Sequence, residues 1–141
     1  MKYCPTDRTQ LLFEVLNMAE SFVVSFFVDE CSDEEMNTYI GSRFIPHIYE
    51  LMQEHKNIIF LLPCGYAPSE SVARTVSVLA KSHSDVKAQC REVGSYSIEG
   101  LHKKMVDMSD LSLFYIEKRN RRIYNTMKYA KETDRKYIRM K

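Results

Sequence analysis

The chain has 141 residues, of which 45% are hydrophobic and 28% charged, with a net charge of +1. That length buries a core without disulfides or metal, and the composition is globular, not disordered. No apolar run approaches the roughly 18 residues of a membrane span, and the near-zero net charge makes nucleic acid an unlikely partner.

The first element expected is a helix over about residues 7–19, where Leu11, Leu12, Val15 and Met18 fall at helical spacing. Residues 21–28, SFVVSFFV, read as a buried strand. Ser32 and Glu35 form a capping box for the next helix. Its apolar face runs from Met36 through Ile40, Phe44, Ile48, Leu51 and Met52. Pro46 cannot donate to the Ser42 carbonyl, so a kink or break is expected there. Residues 57–62 (NIIFLL) form a second buried strand, ended by Pro63. A helix follows over 69–81, then a more polar strand over 86–93 at a sheet edge, broken by Gly94 and Ser95. Ser97 caps a helix to about Met108. Residues 111–116 (LSLFYI) form a fourth strand, Asn120 caps a helix over 121–132, and 135–140 form a fifth strand. Buried strands alternating with amphipathic helices give a Rossmann-like three-layer α/β sandwich. Its five-stranded sheet is mostly parallel, with helices on both faces, in one domain over 1–141.

Charge is unevenly placed. Residues 29–35 hold five acids and no base, whereas residues 117–141 hold ten bases and three acids. The four cysteines (Cys4, Cys31, Cys64, Cys90) form no C-x-x-C pair, and the four histidines form no H-E-x-x-H. Neither pattern suggests a metal site, and no cofactor is implied. With no apolar leader at the N-terminus, a cytoplasmic location is expected.

In an open α/β sheet, ligands bind beyond the carboxyl ends of the strands. Two loops stand there. One holds Gly65, Tyr66, Ser69 and Glu70; the other holds Arg119, Arg121, Arg122, Asn125 and Thr126. Arginines at a helix N-terminus suit an anion, because the guanidinium fork and the helix dipole both favour negative charge. The same arginines also read as solvated loop charges, or as ion-pair partners of Asp29 and Glu30. Cys64 follows a strand as some nucleophiles do, but no histidine is near it in sequence. Ser109 and Asp110 read as a cap ending a helix.

The segment Met105-Val-Asp-Met-Ser-Asp-Leu111, a buried strand, and then Asn125-Thr-x-x-Tyr-Ala-Lys131 resembles the SLOG superfamily of DprA/LOG-like Rossmann-type domains. The YpsA-like group within it shows the most similar pattern. The resemblance spans about residues 21–140 and implies the strand order 3-2-1-4-5. It also implies a nucleotide or other phosphorylated small molecule as ligand. The glycines that would cradle a phosphate do not carry over. Pro63, Cys64 and Ala67 occupy their places in one loop, and Arg121, Arg122 and Ile123 in the other. The related glycoside-cleaving enzymes carry a glutamate in this helix, at a position that falls near Thr126, and residues 122–130 contain no acid.

Three functions remain open. The first is a non-catalytic module binding a nucleotide or phosphorylated ligand. The second is a hydrolase or transferase acting on a nucleoside N-glycosidic bond, with Glu70, Asp29 or Glu30 as its carboxylate. The third is a structural or interaction protein with a degenerate site, in which a homo-oligomer is the expected partner.

Overall fold

The computed structural model describes residues 21–28, 33–64, 67–83, 85–95, 100–116 and 121–139. The helix expected at 7–19, and Asp29, Glu30, Ser32, Ser97 and Asn120, lie outside the described residues.

The strands are β1 (Phe22–Val28), β2 (Asn57–Cys64), β3 (Lys87–Ser95), β4 (Leu111–Tyr115) and β5 (Tyr137–Arg139). They form one all-parallel sheet in the order β3-β2-β1-β4-β5. The Rossmann-like α/β architecture and the expected strand order are therefore both present. Between the strands run α1 (Asp33–Tyr39), a π-helical turn (Ile40–Phe44), α2 (Ile45–Glu54), α3 (Ala67–Lys81), α4 (Leu101–Met108) and α5 (Arg121–Glu132). No helix among the described residues is long and apolar enough to cross a membrane.

The apolar runs are continuous because the central strands are covered on both faces. On one face Val24, Phe26 and Val28 of β1 join Ile58, Phe60 and Leu62 of β2 beneath α1, α2 and α3. On the other, Val23 and Phe27 join Ile59, Leu61 and Phe114 beneath α4 and α5. Among the described residues β3 stands at the edge of the sheet beside β2, which accords with its polar sequence.

Several boundaries differ from expectation. The break anticipated near Pro46 is a π turn that leads into α2 with Pro46 in its first turn. A widened turn removes the need for the hydrogen bond that proline cannot make. Phe44, at the end of that turn, is fully buried against Phe26 and Phe60, with ring centroids 5.0 and 6.3 Å away. β2 does not stop at Pro63 but runs to Cys64, and β3 runs through Gly94 to Ser95. The two strands shift register between Leu62 and Cys64, an irregularity that accommodates a residue with no N–H. α3 opens at Ala67, two residues early. β3 starts at Lys87, and β4 and β5 are shorter than expected.

The junction between α4 and β4 is stitched to β1. Asp110 donates its backbone N–H to the Val23 carbonyl, and its carboxylate accepts from the Val23 N–H, both at 2.8 Å. Ser109 follows the helix, and the Ser109 and Ser25 hydroxyls both donate to the Met105 carbonyl, at 2.6 and 3.1 Å. The Ser109-Asp110 pair therefore ends the helix and sets where β4 meets β1. Asp110→Ala removes the acceptor of a partly buried N–H and is expected to cost about 1–2 kcal/mol in chemical denaturation. An unchanged midpoint would show that the clamp contributes nothing.

Candidate functional site

β1 and β4 lie side by side to their carboxyl ends, where Val28 pairs with Tyr115. From there the chain leaves in opposite directions. β1 connects through α1 and α2 on one face, and β4 through α5 on the other. Such a divergence opens a crevice at the sheet edge, where ligands of open α/β folds sit.

α5 begins at this edge. Its first turn contains Arg121 and Arg122 and no acid, so no carboxylate of that turn offsets the positive end of the helix. Arg122 and Asn125 are exposed, whereas Thr126 is buried (4% exposed) and donates to the Arg122 carbonyl at 2.9 Å. Thr126 therefore faces the core and holds the turn that presents Arg122. In the first turn of α3, Ser69 is buried and Glu70 exposed. Gly65, Tyr66, Arg119 and the side chain of Arg121 lie outside the described residues.

Sequence reasoning overlooked His102. It sits in the first turn of α4, 7% exposed, with its ring edge-on to Phe27 at 5.3 Å. Its Nδ1 lies 3.5 Å from the Thr126 hydroxyl, at the long limit of a hydrogen bond. The Thr126 proton is committed to the Arg122 carbonyl, so this contact requires the proton on Nδ1. Burial, and then the charge of Arg122, lower the His102 pKa to about 4. The ring is thus a neutral, space-filling link between β1, α4 and α5. Its signal in the sequence was its spacing of three and four residues from Met105 and Val106, which places it on the apolar face.

Further down the seam between α4 and α5, the Tyr129 hydroxyl donates to both Asp107 oxygens, at 2.8 and 3.0 Å. Giving up that proton next to a carboxylate is unfavourable, so the phenol's pKa is raised. Asp107 belongs to the first half of the motif noted above and Tyr129 to the second. Their contact joins the helices on either side of β4, which is a scaffolding role.

The described grooves lie on the α1–α3 side. One of about 580 Å3 runs between Asn37 and Ile45 and the face of α3 that carries Arg74 and Val78. A shallower one of about 400 Å3 includes Glu70 and Arg74. Among the described residues no group of three or more His, Cys, Asp or Glu could hold a metal ion. Comparison with protein-family models, curated proteins and solved structures gives no match.

Proposed function

We propose that the protein is a non-catalytic, SLOG-like binding module for a nucleotide or other phosphorylated small molecule. The observation that supports this most is the meeting of two features at one place. The β1–β4 divergence coincides with an acid-free helix start that carries exposed Arg122 and Asn125. In this reading Arg122 grips the anion, Asn125 adds a hydrogen bond, and His102 and Thr126 support the turn from beneath.

Thermal-shift titration with a panel of nucleotides tests it. At about 100 times the dissociation constant, a true ligand stabilises the fold by about 2.7 kcal/mol. Arg122→Ala should then weaken binding by about ten- to a hundredfold, the range for losing a charge-assisted bond. The melting temperature of the free protein should move little, because the side chain is exposed. Equal affinity in wild type and variant would sink the assignment. Glycosidic cleavage is the alternative chemistry, with exposed Glu70 as its described carboxylate. Release of free base from a nucleoside monophosphate, abolished by Glu70→Gln, would replace binding with that reaction.

A further inference from the structure

The groove of about 580 Å3 between α1, α2 and α3 changes character along its length, from polar and cationic to apolar. We propose that it binds a monocarboxylate with an apolar tail, the carboxylate at Arg74 and the tail along Val78. The site lies on the α1–α3 face of the sheet, whereas Arg122 lies on the α5 side, and it does not depend on the reading above.

The first argument is the order of residues. Ser71, Arg74, Thr75, Val78 and Leu79 follow one another along α3 at steps of three and four or one, which sets them in a single stripe. The stripe spans about 12 Å at the rise of an α-helix. It is polar where it begins and apolar where it ends. The facing wall has the same order, Asn37 of α1 and then Ile45 of α2. Both connections run from the carboxyl end of one strand to the amino end of the next parallel one. Asn37 therefore stands toward Ser71, and Ile45 toward Val78 and Leu79. The volume is within the range of small-molecule sites, about 300–1,000 Å3.

The second argument is charge. Arg74 is the one charged residue among the described residues that line the groove. The Thr75 hydroxyl donates to the Ser71 carbonyl at 2.9 Å, which leaves the Ser71 hydroxyl, the Asn37 amide and the Arg74 guanidinium as donors at the polar end. One guanidinium matches one negative charge, and its planar fork suits a carboxylate. A phosphate dianion would bring a second charge that no described lining residue offsets. Glu70, one turn before Arg74 in the adjoining shallow groove, would oppose that charge.

The third argument is exposure. Among the described residues the large apolar side chains left exposed are Val78, at 64%, and Tyr49. Valine is a poorer helix former than alanine, lysine or glutamate, so an exposed helix position gains nothing from it by propensity. Tyr49 of α2 meets His83, just past α3, with ring centroids 5.1 Å apart. Both exposed apolar side chains therefore lie along the same pair of helices, beyond the cationic end.

Calorimetric titration with octanoate, below the concentration at which it forms micelles, is the test. The expected result is one octanoate bound per chain. Acetate lacks the tail and octanol lacks the charge, so each should bind more than about tenfold more weakly. Arg74→Gln and Val78→Asp should each weaken octanoate binding by about tenfold or more. Both side chains are exposed, so the melting temperatures of the free variants should stay near that of the wild type. Failure of octanoate to bind the wild type, equal affinity for acetate or octanol, or equal affinity in either variant would each overturn the proposal. A dimer in sedimentation equilibrium that Val78→Asp dissolves would assign the groove to a second copy of the chain, and would overturn it too.

Discussion

Phe114→Ala is expected to lower the unfolding free energy by about 3–5 kcal/mol, the range for truncating a buried phenylalanine. Phe114 is fully buried in β4. It pairs in register with Phe27 of β1, and the two rings stack 4.9 Å apart at 10°. Tyr137 of β5 meets it edge-on at 6.1 Å, and His102 meets Phe27 from the other side. These rings form one layer across three strands, directly beneath the start of α5. Truncation at its centre removes contacts on several sides, and the sheet backbone is too regular to close over the gap. Urea denaturation measures the effect as a fall in midpoint at constant slope. Phe114→Leu should lose far less, because most of the volume remains. A loss under about 1 kcal/mol for the alanine variant would mean that the site rests on a loose layer rather than a packed one. If the layer supports the turn that presents Arg122, Phe114→Ala should also weaken ligand binding in the fraction that stays folded.

β1, β2 and β4 were legible in the sequence because burial on both faces leaves them unbroken apolar runs. β3 was recognised as an edge from its polarity, and among the described residues it stands at the edge of the sheet. Ends of elements were less legible. Pro63 and Gly94 look like stops, but a strand inside a sheet absorbs them through a register shift that only the neighbouring strand reveals. Pro46 marked the place of a disturbance without showing that a π turn resolves it, because the deciding factor is Phe44 reaching Phe26 and Phe60. For the site, Arg122 and Asn125 were identifiable as exposed polar residues following a strand. Thr126 was identifiable only as a neighbour of theirs, and it turns inward. His102 shows in the sequence as a residue on the apolar face with Met105 and Val106, but its contacts with Phe27 and Thr126 are set by the packing of two helices and carry no local signature.

The stability of the wild type should fall by up to about 3 kcal/mol between pH 6.5 and pH 4 on account of His102 alone. An ordinary histidine titrates near 6.5, and burial followed by the Arg122 charge lowers this one to about 4. Between those values the unfolded chain binds a proton that the folded chain refuses. The contribution is thus complete above about pH 6.5, declines as the pH falls, and is gone below about 4. Carboxylates titrate over part of the same window, so the test is a difference. Unfolding free energies of wild type and His102→Asn are measured from pH 7 to pH 4, and the wild type should lose more. His102→Asn keeps a donor near the Nδ1 position while removing the titration. A flat difference across that window would show that His102 is not the responsible group. Imidazole NMR gives the same answer directly, with Nδ1 as the protonated nitrogen and a midpoint near 4. Arg122→Ala should raise that midpoint only in part, because burial is the larger cause. At neutral pH the ring thus adds no charge of its own beside Arg122. Protonating the ring in acid would place a second cation beside Arg122, across the contact between α4 and α5, so if the proposed ligand binds at Arg122 its affinity should change over the same pH window as stability.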